Sequence, residues 1–440
     1  MDGHDDRAGQ RVLMFFTQTY PFDAQDEAAF IRPQLEALMD VFGRMILIPR
    51  FADGRRDTMP EGVETDESLT KLIRRRRAPW RMVVDAARSS AFWSDLTRYP
   101  VVARSPTGLR RLTRASAESS TVKTWLDNRL ESEDLIDRDV VAYSFWSDSS
   151  AIGIALASSP RLTRAARVNG FDLFLERHRP PFLPGRNVLS RNLDHVFAAS
   201  DFARRYFIAT YPAAAATSDV AYLGVDDPGR VASGSGDDRF VLVSCSGIVQ
   251  VKRVDRIAAA VSALAAMRPD VSFEWHHFGG GPDEAAVEAA LGSKPSNAET
   301  TLHGPTDRPV IMSFYASHPV DVIVNLSASE GGPPVALMEA ASYGIPAVAT
   351  AVGGNPEIVS GSTGFLVPVD CPASETARAI ARLVDDRTEA RRLRSASREM
   401  WRTRFQASTN ARAFAAALGR LQPTSRPAIG SRVRPDDGPS

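Results

Sequence analysis

The stretch "SASEGGPPVALMEAASYG" (residues 327–344) sets two glutamates around a Gly-Gly-Pro-Pro turn, Glu330 before it and Glu339 after it. The apolar run "VDVIVNLS" (320–327) just ahead reads as a buried strand, and the turn opens a helix. Pro333 or Pro334 suits the first helical position, where the missing N–H is no loss. A helix start presents unpaired N–H groups and a positive dipole end, a ready place for an anion. The prolines donate nothing, so the donors are Gly331, Gly332, Val335 and Ala336, and the glycines allow close backbone approach. Glu339 lies about one and a half turns into the helix, and helical side chains lean toward the N-terminus. Its carboxylate is therefore aimed back at the loop that carries Glu330. A carboxylate cannot bind phosphate, but it accepts hydrogen bonds from hydroxyls. Amides for a phosphate and acids for hydroxyls describe a nucleotide-sugar site. The plainer reading, a capped helix with incidental acids, stays open on this stretch alone.

Working outward, the second half alternates strand and helix. Strand "FVLVSCS" (240–246) leads to a helix over 253–267, then "SFEWHHFG", a helix near "DEAAVEAAL", the opening stretch and "IPAVAT" (345–350). The first half shows the same alternation, with strands at "RVLMFF", "MILIP" (45–49), "DVVAYSF" (139–145), "AARVNGF" (165–171) and "HVFAAS" (195–200). Such alternation argues for the α/β class with parallel sheets covered by helices. The predicted organisation is a Rossmann-like domain over 11–219, a Gly/Ser/Asp-rich linker over 220–239 and a second Rossmann-like domain over 240–396. A returning helix over 397–421 and a disordered Pro/Ser/Arg-rich tail over 422–440 complete it. Two such domains facing one another would bind ligands in the cleft between them, beyond the strands' carboxyl ends.

The 440 residues carry 43% apolar and 24% charged side chains, the profile of a globular protein. Fifty-three basic residues balance fifty-three acidic ones, which gives no reason to expect a nucleic-acid partner. Two cysteines, Cys245 and Cys371, fit a reducing compartment. The polar, acidic N-terminus lacks the pattern of a signal peptide, and no apolar run reaches the roughly 20 residues of a membrane span. A cytoplasmic protein is expected. One segment breaks the balance: residues 71–115 hold eleven Arg and one Lys against two Asp. It is either a solvated, charged helical hairpin or a surface that docks on anionic lipid at the inner face of the cell membrane, with Trp80, Phe92 and Trp93 as anchors.

"SEGGPPVALMEAASYGIPAVATAVGGNPEIV" resembles the signature of the retaining GT-B glycosyltransferases of glycosyltransferase family four. "SCSGIVQVKRVDRI", "WHHFGGGPDE", "LHGPTDRPVIMSFYASHPVDVIVNLS" and "GFLVPVD" resemble further family elements in the family's order. "FFTQTYPFDAQDEAAFI" and "RVNGFDLF" are similar to members that build bacterial surface polysaccharides, and "WRTRFQASTNARAF" (401–414) to the helix that crosses back to the first domain. The resemblance implies transfer of a sugar from a nucleotide diphosphate sugar to a glycan or lipid-linked acceptor, with retention and without a metal or cofactor. It places Glu339 on the ribose, Glu330 on the transferred sugar and Lys252 on the diphosphate, with Arg253 assisting. Gly331, Gly332 and Val335 would contact the donor phosphate and Tyr20 would stand on the acceptor side, while Asp172 either supports the acceptor pocket or caps a turn.

Three departures stand out. Eight residues separate Glu330 from Glu339 where the family has seven, so the turn must bulge or Glu330 must shift. Gly247 stands where the family has an Arg five positions before the Lys, and Asn169 where it often has a His that contacts the donor sugar. Asn can hydrogen-bond a hydroxyl but cannot move a proton near neutral pH. These departures keep two other readings open, a GT-B sugar-nucleotide epimerase and a sugar-nucleotide-binding protein that has lost turnover. Other motifs fail. His276 and His277 are adjacent on a predicted strand, so they face opposite ways and share no metal. "FGGGPDEAAV" lacks the dinucleotide-binding glycine spacing. Gly353 and Gly354 fit either a phosphate approach or a plain tight turn.

Overall fold

The computed structural model describes residues 11–23, 27–292 and 295–424. They fall into two compact units. The first holds the described residues up to Ala198, Arg204–Val220 and those from Arg412 on; the second holds Ala199–Ala203 and Ala221–Ala411.

In the first unit the elements run β1 (Val12–Thr17), α1 (Ala28–Met39), β2 (Arg44–Pro49), β3 (Val63–Thr65), α2 (Ser68–Arg75), α3 (Pro79–Ala87), α4 (Ser90–Arg98), α5 (Pro100–Ala103) and α6 (Pro106–Leu130). There follow β4 (Val140–Ser144), α7 (Ser149–Leu156), β5 (Leu162–Val168), α8 (Arg186–Asn192), β6 (His195–Ala198), α9 (Asp201–Thr210) and β7 (Ser218–Val220). The sheet is parallel, in the order β3-β2-β1-β4-β5-β6-β7. Every residue of β1, β4 and β5 is buried, which is why these strands appear as continuous apolar runs rather than alternating ones. The fully buried Arg167 of β5 is satisfied by the Tyr143 hydroxyl at 3.0 Å, and its guanidinium lies 4.9 Å from the ring centre of Phe414.

The second unit runs β8 (Arg239–Cys245), α10 (Val254–Met267), β9 (Ser272–Phe278), α11 (Glu284–Leu291), β10 (Ala298–Leu302), α12 (Arg308–Ser317) and β11 (Val322–Asn325). It continues with α13 (Val335–Ser342), β12 (Ala347–Thr350), β13 (Gly364–Val367), α14 (Ala373–Asp385) and α15 (Arg387–Arg404), while α16 (Ala407–Arg420) begins in this unit and ends in the first. Its parallel sheet has the order β10-β9-β8-β11-β12-β13. Phe240, Phe273 and Trp275 fill the core under α10 and α14, while Tyr315, Tyr343 and Trp401 fill the opposite face. In both sheets the strand order reverses at the first strand, between β1 and β4 and between β8 and β11. Ligands of open α/β sheets collect at such switch points.

Several expectations need correction. Residues 220–239 are no free linker. Ala232 is buried and its amide bonds to the Tyr343 carbonyl at 2.9 Å; the Ser235 amide bonds to Asp321 at 3.0 Å. The Gly/Ser/Asp composition marks irregular backbone here, with its polar groups satisfied by the second unit. The returning segment is two helices, α15 and α16, broken at Phe405, and the second unit runs on to Ala411. Segment 71–115 is no simple hairpin but α2 to α5 and the start of α6. Of the predicted tail, Thr424 donates its amide to Asp194 at 3.2 Å, and residues 425–440 lie outside the described residues.

Asp95 fixes α4 to the body of the first unit, accepting the Gly185 amide at 2.5 Å. Burial pushes its carboxyl up to about 6, and the Gly185 bond offsets this only in part. A folded value above the unfolded one means that ionised Asp95 costs stability above that pH, a cost that fades as pH falls toward about 4. Asp95→Asn is therefore expected to raise the unfolding free energy by about 2 kcal/mol near pH 8 and by almost nothing near pH 4. Urea titrations at the two pH values check this, and an equal change at both would refute it.

Candidate functional site

In the second unit the switch point is formed by the loops after β8 and β11. The first loop is held by glycine-to-backbone contact. A Cβ on Gly279 would lie 1.9 Å from the Ser246 carbonyl oxygen, and one on Gly281 would lie 2.2 Å from that of Ile248. The run "FGGGP" thus packs the loop. It ends at Lys252 and at Arg253, whose backbone is left-handed at φ 52. That conformation turns the Arg253 side chain away from Lys252 to the Val369 carbonyl, with Asp370 3.6 Å away. Arg253, expected to assist at the phosphate, is instead a brace between the head of α10 and the segment after β13.

Lys252 Nζ donates to Glu330 Oε1 at 2.6 Å, and Asn325 Nδ2 stands 3.5 Å from the same oxygen. The Ala328 amide bonds to the Val251 carbonyl at 2.8 Å, tying the two loops together. Both prolines precede the helix. Pro334 is its N-cap with ψ 137, and its carbonyl accepts from the Leu337 and Met338 amides. The amides of Gly332, Val335 and Ala336 have no acceptor among the described residues. With eight residues between the glutamates, Glu330 reaches Lys252.

What holds the turn is a second Gly-Gly pair. A Cβ on Gly353 would sit 1.8 Å from the Glu330 carbonyl oxygen, and one on Gly354 would sit 2.0 Å from the Gly332 carbonyl carbon. Real Cβ atoms do not approach so closely, so only glycine fits. Thr350 Oγ1 donates to the Ser327 carbonyl at 2.7 Å and Asn355 Nδ2 to the Thr350 carbonyl at 2.9 Å, which fixes the supporting loop. Gly247 is different: the nearest atom to its Cβ position is the Gly280 carbonyl oxygen at 3.8 Å, an ordinary contact. Packing does not demand glycine there.

Glu339 is 5% exposed and hydrogen-bonds through Oε1 to Arg308 Nε, at the first residue of α12. Burial and, next, the Glu339 charge push the Cys245 thiol up to about 12, so Cys245 stays a neutral thiol beside the acid. Arg308 escaped the sequence reading because 31 residues separate it from Glu339. The signal was its place at the start of a helix that follows a strand's carboxyl end.

The first unit has its own switch-point cavity, about 340 Å³, where Gln18, Arg50, Trp146, Asp148, Phe171 and His178 meet. Arg50 pairs with Glu118 and, at 3.1 Å, with Asp148. Burial disfavours charge on Arg50, but Asp148 and Glu118 outweigh it and raise its pKa. Asp172 lines this cavity and knits its loops, accepting from the Ser147 amide and the Asn169 amide, both at 2.7 Å. Burial raises its pKa, against the pull of Arg186. Asn169 is 8% exposed and donates Nδ2–H to the Phe145 carbonyl at 2.9 Å. Tyr20, expected on the acceptor side, is instead a core residue at 1% exposure. Its loop is anchored by Glu27, which accepts from the amides of Gln18, Thr19 and Tyr20. Arg50, Asp148 and Glu27 were not singled out in the sequence, although Arg50 directly follows β2 and Asp148 follows β4 closely.

Residues 239–386 match the family model described as glycosyl transferases group 1, a segment that carries Lys252, Glu330 and Glu339. The D-inositol 3-phosphate glycosyltransferase of Arthrobacter sp. (strain FB24) is 30% identical over 151 residues, 34% of this chain and 35% of that protein. The chain thus matches about a third of that relative's length. Among solved structures, Anabaena HepE in complex with UDP is similar at a TM-score of 0.59 and 19% identity, over 93% of this chain and 100% of that one. The apo lipopolysaccharide outer core galactosyltransferase WaaB is similar at 0.60 and 14%, with the same coverages of 93% and 100%. The fold is GT-B: two Rossmann-like domains, each built on a parallel sheet.

Two substitutions test what the glycines do. Gly354→Ala should cost at least about 2 kcal/mol of stability, because a methyl group meets backbone that cannot swing aside. It should also abolish binding of a nucleotide diphosphate at temperatures where the variant remains folded. Gly247→Arg should leave the melting temperature unchanged. Wild-type stability and binding in Gly354→Ala would show that the contact is dispensable.

Proposed function

We propose that this protein is a retaining glycosyltransferase that moves a sugar from a nucleotide diphosphate sugar to a glycan or lipid-linked acceptor, in assembly of a bacterial surface polysaccharide. The observation that carries the reading is the Lys252–Glu330 pair at the head of α13, with Glu339 on the same helix, inside the segment that matches glycosyl transferases group 1. On this reading the donor phosphates face Lys252 and the amides of Gly332, Val335 and Ala336. Charge developing on the leaving diphosphate is then met by fixed donors, the form of electrostatic catalysis that needs no reorganisation during the reaction. Glu339 accepts hydrogen bonds from the ribose and Glu330 from the transferred sugar. Retention and metal independence rest on the resemblance to family four. In a retaining reaction the acceptor enters on the face the leaving group departs from, and a leaving phosphate oxygen takes the acceptor's proton.

The cavity of the first unit, with Trp146 and Phe171 beside the Arg50–Asp148 pair, suits an acceptor with both hydroxyls and apolar ring faces. HepE, solved with UDP and with UDP-glucose, makes a UDP sugar the first donor to try. WaaB, a lipopolysaccharide galactosyltransferase, supports the surface-polysaccharide assignment.

Thermal-shift screening with UDP, GDP and ADP sugars, followed by nucleotide release with and without acceptor, tests the reading. Acceptor-dependent release is the expected result. Acceptor-free isomerisation or binding without release would replace it. Glu339→Ala should weaken donor binding about tenfold or more, the cost of losing a hydrogen bond to a charged group. Lys252→Ala should lower kcat by about a hundredfold with a smaller effect on donor affinity. Unchanged donor affinity in Glu339→Ala would refute the ribose role, and an inverted product anomer by NMR would refute retention alone.

A further inference from the structure

Helix α3 wears its apolar face outward. Trp80, Val83, Val84 and Ala87 recur at the spacing of one helical face, and all four are exposed, Trp80 at 65% and Val83 at 59%. The opposite face carries the contacts. Ala86 is buried and Asp85 pairs with Arg76, while its carbonyl accepts from Ser120 of α6. Trp93 of α4, itself 52% exposed, donates its ring N–H to the Ala87 carbonyl at 2.8 Å. The indole is thereby held beside Ala87 at the end of the stripe.

Cations flank this stripe, Arg81 within α3 and Arg88 at its C-terminal cap. The Arg81 guanidinium lies 5.1 Å from the centre of the Trp80 ring. Arg75, Arg81, Arg88, Arg98, Arg104 and Arg110 are all exposed and make no salt bridge among the described residues. Exposed tryptophan and valine in a field of unpaired arginine is the composition of a helix that lies in a lipid interface. Indole suits the headgroup boundary, with an apolar body and a polar N–H.

We propose that the α3–α4 face of the first unit docks on an anionic lipid bilayer, with Trp80, Val83, Val84 and Trp93 entering the headgroup boundary and Arg81 and Arg88 meeting lipid phosphates. A second copy is the weaker occupant, because pairing the same face twofold sets these arginines against each other. The inference is independent of the transferase reading, since it uses none of the donor-site or cavity residues.

The test uses the full-length protein with vesicles of phosphatidylcholine alone and of phosphatidylcholine with phosphatidylglycerol, by co-sedimentation at low and high salt. Binding only to the anionic vesicles, lost at high salt, is expected. Trp80→Ser/Trp93→Ser and Arg81→Gln/Arg88→Gln should each weaken that binding about tenfold or more while the variants remain folded by circular dichroism. Equal binding to both vesicles, or to neither, would overturn the proposal. So would variants that fold and bind like wild type, or a concentration-dependent dimer that disappears in Trp80→Ser/Trp93→Ser without any vesicle binding.

Discussion

Between Gly354 and the turn at Gly332 there is no space for a methyl group, and that contact sets everything at the head of α13. The turn carries Glu330 at one end and leads at the other to the free amides of Val335 and Ala336. Its own hydrogen bonds are few, because two of its residues are prolines. Its position therefore comes from the backbone beneath it. The Gly353–Gly354 pair supplies that support at a distance only glycine allows, and Thr350 and Asn355 hold the supporting loop in turn.

The same economy governs both units. In each sheet the strand order reverses at the first strand, and each candidate site stands at that reversal, where two neighbouring loops diverge and leave backbone groups facing a crevice. What fills the crevice differs. In the second unit it is open amides and two separate acid–base pairs. In the first it is a buried chain of charges, Asp148 and Glu118 on either side of Arg50, set among aromatic side chains. Buried charges are tolerated only when their partners are in place, so Arg50 fixes the loops after β2 and β4 relative to α6.

The sequence made some of this legible and concealed the rest for physical reasons. Central strands were readable because a parallel strand buried on both faces must be apolar throughout. The short edge strands β3 and β7 carry Glu64 and Asp219 and gave no such run. Glu330, Glu339 and Lys252 could be picked out because a helix start, a turn and a strand end are local patterns. Arg308 could not, because its tie to Glu339 is created by packing α12 beside α13. Arg253 misled because adjacency to Lys252 says nothing of direction, and a left-handed backbone sends the two side chains apart. Tyr20 misled because an aromatic in a loop after a strand serves a core as readily as a ligand. Residues 220–239 misled because composition reports irregular backbone but not whether that backbone is free.

The two acids of the proposed donor site each pair with a cation among the described residues, Lys252 with Glu330 and Arg308 with Glu339. The paired side chains sum to no net charge. A diphosphate brought to this place meets no surplus cation from them, and Gly247 withholds the arginine that could have supplied one. On the proposed reading, Lys252 serves the diphosphate only by sharing or leaving Glu330, which would free that carboxylate for a sugar hydroxyl at the same moment. The remaining favourable field comes from the backbone amides at the head of α13 and the helix dipole behind them. Those amides have fixed strength and are useful only if aimed correctly. A site with few mobile cations must depend on rigid geometry, and here that geometry rests on two glycines pressed against a turn.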